Sequence, residues 1–181
     1  MRFRPMRELV FVSVSESTIK GAIAEAAIAA AAIELGIFVL RPLVEGRRYD
    51  LIFDTGDRLL RVQCKWAARK GAVIVVHTRT SRDTPHGYVR STYTAAEIDA
   101  IAVYCQELKR CYLLPIGEVA GRFVVHLRLA PAANKQEVAI KYAADYELPG
   151  AIAQLGERRY GIPEVAGSSP ASSTSNVRPL R

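Results

Sequence analysis

The chain has 181 residues, half of them hydrophobic, which is enough for one domain with a real core and an appendage. Its formal net charge of +7 favours a polyanionic partner such as nucleic acid or an anionic membrane surface. The three cysteines have neither zinc-ligand nor paired spacing, which argues against a zinc site and a disulfide framework. Unpaired thiols are typical of a reducing compartment, so we expect a cytoplasmic protein.

The first predicted element is a helix over residues 18–35. Ser15 or Ser17 can cap its start, and Gly36 can adopt the left-handed conformation that ends it. The alanine-rich apolar run in this region is interrupted by two glutamates, which favours a soluble helix over a membrane segment. We therefore expect no membrane partner.

Four short apolar runs follow the helix and are separated by turn-forming residues, so they predict consecutive strands of one mainly antiparallel sheet. These runs read IFVLRPLV, YDLIFDT, LLRVQCKW and GAVIVVHT. Residues 81–94 are polar and broken by Pro and Gly, which predicts a loop, whereas residues 95–110 restore helical spacing and predict a second helix. CYLLPI and RFVVHLRLA predict two further strands. This order of elements is typical of an α/β or α+β sandwich.

Beyond residue 149 the composition becomes rich in Ser, Pro and Ala without periodicity, which predicts a domain at 1–149 and a disordered tail at 150–181. Two segments of the tail, AIAQLGER and AGSSP, can be back-translated into DNA that resembles the two conserved arms of a bacterial tRNA gene. Our hypothesis is that the reading frame runs through a neighbouring tRNA gene. Such a tail would have no part in the fold.

The hairpin predicted at residues 49–66 places polar side chains together. Alternation along its second strand puts Arg61, Gln63 and Lys65 on one face, and the turn brings Asp50 near the last two. A carboxylate beside a backbone carbonyl suits the oxygen coordination of Mg²⁺, and a neighbouring Lys can hold or help deprotonate the attacking water. The group therefore predicts phosphodiester hydrolysis.

This arrangement resembles the PD-(D/E)XK nucleases, in which an acid on one strand is followed, after a hairpin, by an acid, any residue and Lys. Here the pattern is Tyr49-Asp50 and then Gln63-Cys64-Lys65, with Tyr replacing Pro and Gln replacing the second acid. The Gln form is similar to a branch that includes a homing endonuclease of a group I intron in a cyanobacterial tRNA gene. The segments GAIAEAAI, RVQCKWA, STYTAAEIDAIAVY and CYLLPI extend the similarity.

The resemblance implies a restriction-endonuclease-like α/β core, a central mixed β-sheet flanked by helices. It implies that Asp50 is a direct metal ligand beside the carbonyl of Cys64. Gln63 would take the place of the second ligand, through its amide oxygen or a metal-bound water. Lys65 would position the nucleophilic water, and Glu25 would reach in from the first helix as an outer ligand. The implied metal is Mg²⁺, with Mn²⁺ able to substitute, and the number of metals stays open.

The function implied is Mg-dependent, site-specific cleavage of double-stranded DNA, as in intron homing. One centre per chain must cut two strands, so we expect a homo-oligomer, either a dimer or a tetramer. Two alternatives stay open: a Holliday-junction resolvase of the same superfamily, and a DNA-binding relative without catalysis in which Gln63 marks a decayed site. Asp50 and Lys65 can also be a plain cross-strand ion pair, and Glu25 a solvated helix residue.

Basic residues in three segments predict contacts with DNA phosphates, and Tyr88 and Tyr93 are suited to stacking on bases. The competing interpretation of the last segment is a solvated, charge-rich loop. The predicted phosphate contacts are Arg47, Arg48, Arg69, Lys70, Arg79, Arg82 and Arg90.

Overall fold

A computed structural model describes residues 14–44, 46–85, 87–131 and 140–152, and residues 82–84 and 88 by their backbone alone. The first three residues of the predicted disordered tail, 150–152, are helical, and Ala151 is buried in the core, so these residues belong to the fold. The rest of the tail and its resemblance to a tRNA gene lie outside the described residues and stay predictions. No helix within the described ranges is long and apolar enough to cross a membrane.

The first element is helix α1 (Glu16–Glu34), which confirms the predicted helix and both of its ends. The hydroxyl of Ser15 accepts a hydrogen bond of 3.2 Å from the backbone N–H of Thr18, which satisfies one of the free donors of the first turn. Gly36 follows the helix with φ of +78°, a conformation that costs glycine no steric strain.

Ten strands, a second helix and a 3₁₀ helix follow within the described ranges, and residues 148–152 are also helical. The strands are β1 (Phe38–Leu40), β2 (Leu51–Asp54), β3 (Leu59–Lys70), β4 (Val73–His77), β5 (Arg79–Thr84), β6 (Gly87–Thr92), β7 (Ala100–Cys105), β8 (Arg110–Pro115), β9 (Val124–Arg128) and β10 (Lys141–Tyr142). The helices are α2 (Ile116–Val119) and the 3₁₀ helix (Ala143–Tyr146).

The main sheet is mixed. Strands β1 to β4 pair consecutively and antiparallel, as predicted, and β9 and β10 continue the order after β4. Strand β7 pairs with β3 in parallel, with Gln63 opposite Ile101 and Lys65 opposite Val103, and β8 pairs antiparallel with β7. The long strand β3 is therefore the axis of the fold, and it also contains Gln63 and Lys65.

The predicted helix over 95–110 is wrong, because the centre of this segment is strand β7. All but one of its residues are buried, between β3 and β8. A strand covered on both faces is a continuous apolar run without alternation, and such a run cannot be told from a buried helix by periodicity.

The predicted loop over 81–94 is also wrong, because β5 and β6 form an antiparallel hairpin that is a separate two-stranded sheet. Ser81 pairs with Arg90, and Arg79 pairs with Thr92. Neither strand has the apolar alternation by which half-buried strands are recognised, so the sequence resembles a loop.

Apolar side chains pack on both faces of the main sheet. On one face, Ala24, Ile28 and Ala32 of α1 belong to a buried cluster with residues of β2, β3, β7 and β8. On the other face, a second buried cluster joins β4, β7, β8 and β9 and includes Tyr93. The sheet is thus covered on both sides, which confirms the expected α/β core with a central mixed sheet.

Candidate active site

Asp50 directly precedes β2, whose first residue, Leu51, pairs with Val62 of β3. Its N–H donates a hydrogen bond of 3.0 Å to the carbonyl of Val62, the register partner of Leu51, so the regular β2–β3 pairing ends at Asp50. Its Oδ2 accepts a hydrogen bond of 2.7 Å from the N–H of Cys64 and another from the side-chain Nε2 of Gln63. The hairpin therefore brings these side chains together as the sequence predicts.

The amide of Gln63 lies between two oxygen atoms. It is 9% exposed, and its Nε2 donates both to Asp50 Oδ2 and, at 3.2 Å, to the carbonyl of Cys64. The Nε2 donor, bonded to both the Asp50 and Cys64 oxygens, occupies the position where a cation would be coordinated by them. Half a turn of the amide would present Oε1 in the same place.

Glu25 reaches the site from α1 and forms an ion pair with Arg41, which directly follows β1. Both line a cavity of about 270 Å³ beside the hairpin. The sequence analysis did not identify Arg41, and an Arg before a Pro at the end of a short strand offers no specific signal. The lining residues are Glu25, Arg41, Pro42, Val44, Gly46, Arg47, Tyr49 and Asp50.

Both carboxylates of the site are held in an environment that disfavours their charge. Burial raises the pKa of Asp50, although the N–H of Cys64, the charge of Lys65, the amide of Gln63 and the charge of Arg41 each lower it. Burial and, after it, the charge of Asp50 raise the pKa of Glu25 against the opposing charge of Arg41. Additional positive charge at this place would relieve both groups.

Lys65 follows Gln63 by two residues on β3. Its Nζ lies 5.3 Å from the centroid of the Tyr93 ring. Within the described ranges, neither Asp50 nor Lys65 takes part in a salt bridge. The structure therefore contains no direct ion pair between Asp50 and Lys65.

The donors at the site suit a hard divalent cation held by few protein groups. Among the described residues, no cluster of three or more His, Cys, Asp and Glu side chains can hold a metal ion. Asp50 and the Cys64 carbonyl supply oxygen ligands, and a turned Gln63 amide supplies a third, with Glu25 nearby. Mg²⁺ commonly binds in this way, because it retains waters and takes further ligands from substrate phosphate.

The comparisons with known proteins agree with this geometry. A family model described as PD-(D/E)XK endonuclease matches residues 15–149, which include every element from α1 to the 3₁₀ helix. The chain belongs to the PD-(D/E)XK endonuclease family. It is therefore a nuclease, as the hairpin predicts.

A solved structure, that of the bacterial homing endonuclease I-Ssp6803I, is similar over 82% of this chain and 100% of that chain. The sequence identity is 28% and the TM-score is 0.62. No curated protein matches the chain by sequence. The structural match confirms the expected restriction-endonuclease-like fold.

The basic residues predicted to contact DNA are dispersed around this nuclease core. Arg47 lines the cavity beside Asp50. Arg69 and Lys70 are exposed at the far end of β3, where Arg69 Nε donates to the carbonyl of Gly71 at 2.8 Å. The site and the end of β3 are therefore two separate basic regions.

The remaining predicted contacts lie on or beside the β5–β6 hairpin. Arg90 is exposed on β6 and Arg79 is half-buried at the start of β5, whereas the side chain of Arg82 lies outside the described part. Tyr93 is only 4% exposed, so the prediction that it stacks on bases is wrong. The side chain of Tyr88 is not described, and its stacking stays a prediction.

Arg48 is directed into the protein rather than toward solvent. Its Nε donates to Glu97 at 2.9 Å, and its Nη2 donates to the carbonyl of Thr92 at 3.0 Å. Its guanidinium carbon lies 4.6 Å from the centroid of Tyr93. Arg48 thus joins the segment before β2 to the root of the β5–β6 hairpin.

Arg61, the third polar residue of the predicted face, also has a structural role. Its backbone N–H and its guanidinium both donate to the carboxylate of Asp99, at 2.9 to 3.1 Å. Two further bonds reach the carbonyls of Ala95 and Ala96. This fork fixes the start of β7 against β3, close to Gln63 and Lys65.

Proposed function

We propose that this nuclease is a Mg²⁺-dependent, site-specific endonuclease that hydrolyses phosphodiesters of double-stranded DNA, in the manner of a homing endonuclease. The observation that carries the proposal is the convergence of Asp50, the Cys64 carbonyl and the Gln63 amide on one point, with Lys65 beside them. The similarity to I-Ssp6803I over the whole of that chain supports the homing class.

In this proposal Asp50 and the Cys64 carbonyl would hold the metal, and Gln63 would join them with its amide turned to present Oε1. Glu25 holds an outer water, for which it must release Arg41. Gln63 adds no negative charge, so we expect weaker metal binding than two carboxylates would provide. Mn²⁺, which prefers similar oxygen ligands, is expected to substitute.

The reaction class follows from the charges around the cavity. When bound, Mg²⁺ would supply Lewis-acid stabilisation of the phosphate charge. The Lys65 ammonium donates hydrogen bonds that hold the attacking water and offset the charge that develops on the phosphate. Arg41, once released by Glu25, remains at the cavity as a second cation for a phosphate oxygen.

The exposed basic side chains supply affinity for the duplex without base specificity. We assign Arg47, Arg69 and Lys70 to phosphate contacts around the core, and Arg79, Arg82 and Arg90 to contacts of the β5–β6 hairpin. A two-stranded ribbon of this kind fits the width of the major groove. We assign Arg48 to the protein frame, because its donors are already bonded internally.

A second copy of the chain would complete the double-strand cut. The region from the end of α1 to the segment after β1 exposes large apolar side chains, and Phe38 on the edge strand is 76% exposed. We propose that a second copy covers this surface, made of Ile33, Leu35, Phe38, Leu40 and Leu43. Sedimentation should show a dimer or tetramer that Phe38→Ser dissociates, and a monomeric natural chain would contradict the assignment.

The test is cleavage of a plasmid that carries the intact tRNA-flanking locus of the source genome, with Mg²⁺, with Mn²⁺ and with EDTA. We expect discrete cuts that require a divalent metal, and a loss of about 100-fold or more in rate for Lys65→Ala and Asp50→Asn. Lys109→Ala and Asp57→Asn, at exposed turn positions, are the matched controls and should cut normally.

Three other outcomes would change the assignment. Preferred cutting of a four-way junction over linear duplex would select the resolvase function. Metal-independent DNA binding without nicking of any substrate would select a non-catalytic relative. Equal cutting by Lys65→Ala and Lys109→Ala would remove Lys65 from the centre. A cytoplasmic location stays a prediction.

A further inference from the structure

Tyr93 lies directly beneath the candidate catalytic lysine. It is the first residue after β6, it is 4% exposed, and its ring belongs to the buried cluster on the β4–β9 side of the sheet. Two cations lie against the ring: Lys65 Nζ at 5.3 Å and the Arg48 guanidinium carbon at 4.6 Å from its centroid. Both distances are within the range of cation–π attraction.

The ring is fixed by its surroundings. Arg48, which contacts it, is bonded to Glu97 and to the carbonyl of Thr92, the residue before Tyr93. The same guanidinium donates to Ser91 Oγ at 3.4 Å. Glu97 also accepts a hydrogen bond from the backbone N–H of Thr94, the residue after Tyr93. The segment around Tyr93 is therefore held from both sides.

Among the residues that the structure describes, none forms a hydrogen bond or salt bridge with the Lys65 side chain, although the charge of Asp50 also acts on it. A lysine has four rotatable bonds and loses much rotamer entropy when its ammonium must be held at one place. A carboxylate partner would restrain it, but would also occupy its N–H donors and offset its charge. An aromatic face attracts the cation and leaves the N–H donors free for water and phosphate.

The root of the β5–β6 hairpin is covalently continuous with this ring. Thr92 pairs with Arg79 at the base of the hairpin, and Tyr93 is the next residue. On the other strand, buried Thr78 anchors the base through a bond from its N–H to the carbonyl of Phe123 at 3.1 Å. Tyr93 therefore lies at the base of the hairpin, one residue beyond the last β5–β6 pair.

We propose that Tyr93 is a positioning residue: its ring, at the base of the β5–β6 hairpin, holds the Lys65 ammonium where cleavage requires it. The role of Lys65 and of the hairpin rests on the proposed function. The contact between the ring and the ammonium does not, so the two can be tested separately.

The experiment compares Tyr93→Phe with Tyr93→Leu in single-turnover cleavage and in binding to the same DNA in Ca²⁺. Tyr93→Phe keeps the ring and should cut at close to the natural rate. Tyr93→Leu removes it and should cut about 10- to 100-fold more slowly, with DNA affinity changed by less than about threefold. Tyr112→Leu is the matched control, because Tyr112 is equally buried in the same cluster.

Proton NMR of the Lys65 side chain reports the contact itself. The ε-methylene protons of Lys65, assigned by their loss in Lys65→Arg, should be shifted upfield by the ring in the natural chain and in Tyr93→Phe. They should return to ordinary positions in Tyr93→Leu and remain shifted in Tyr112→Leu.

Three outcomes would each overturn the proposal. Tyr93→Leu could cut at the natural rate, Tyr93→Phe could be slowed as much as Tyr93→Leu, or the Lys65 signals could be unaffected by loss of the ring. If the natural chain cuts no DNA, the proposed function fails and the positioning role fails with it. Shifted Lys65 signals would in that case still identify the contact, which separates that failure from a wrong assignment of Tyr93.

Discussion

Gln63→Glu restores the second acid of the family pattern and gives the sharpest test of a shared cation site. The amide of Gln63 donates to Asp50 Oδ2, so the variant replaces a hydrogen bond by two carboxylates in contact. Unit charges about 3 Å apart repel by about 5 kcal/mol at an effective dielectric constant of about 20. Uptake of one proton does not reduce this cost at pH 8, because protonating a carboxyl with an ordinary pKa of about 4.3 also costs about 5 kcal/mol there. We therefore expect a loss of about 5 kcal/mol in the free energy of unfolding at pH 8.

Thermal unfolding at pH 8, in EDTA and in Mg²⁺, measures both parts of this prediction. A loss of about 5 kcal/mol lowers the Tm of a domain of this size by about 10 to 20 °C. The added carboxylate should also tighten Mg²⁺ binding, and a ligand at about 100 times its Kd returns about 2.7 kcal/mol. Gln63→Glu should therefore gain much more Tm from Mg²⁺ than the natural chain gains.

The matched control is Gln106→Glu, which adds the same charge at an exposed turn. It should show neither the loss in EDTA nor the gain in Mg²⁺. If Gln63→Glu unfolds at the natural temperature in EDTA, the contact with Asp50 is wrong. If it is destabilised but gains nothing from Mg²⁺, the two side chains do not share a cation site.

Burial raises the pKa of Asp50 and Glu25 above their ordinary values of 3.8 and 4.5. Without metal, the two protonated groups therefore contribute fully to stability below their ordinary pKa values, and this contribution is lost as the pH rises through their raised pKa values in the folded state. In EDTA, the Tm of Asp50→Asn should fall less than the Tm of the natural chain as the pH rises from about 3. Parallel curves of Tm against pH for the two proteins would contradict the prediction. Arg61→Lys removes the fork to Asp99, a pair whose side chains are 34% and 36% exposed, and should cost about 1 kcal/mol in urea unfolding. An unchanged midpoint would count against that role. Gly36→Ala places a Cβ at φ of +78° and should cost about 1 kcal/mol in the same assay; a more stable variant would refute the strain.

The sequence alone determined the features that depend on near neighbours along the chain. The cap at Ser15, the helix end at Gly36 and the antiparallel order from β1 to β4 follow from local hydrogen bonds, backbone freedom and short turns. The meeting of Asp50 with Gln63 belongs to the same class, because one hairpin turn brings them together and alternation sets their face.

The tertiary structure alone decided the features that depend on distant pairing. Strand β7 is a strand because it lies beside β3 in parallel and is covered on both faces, which its own sequence does not distinguish from a helix. The β5–β6 hairpin has no apolar alternation to mark it. Its register is set by pairing between the two strands.

The same distinction applies to the residues around the site. Arg41 and Tyr93 have no place in the hairpin pattern, and only the packing of α1, β1 and the hairpin root brings them to Glu25 and Lys65. Arg48 is a residue type that commonly contacts DNA, yet its donors are occupied by Glu97 and the Thr92 carbonyl, which lie far along the chain. Local sequence specifies backbone conformation and side-chain face, but which distant groups neutralise a charge is decided only when the chain has folded.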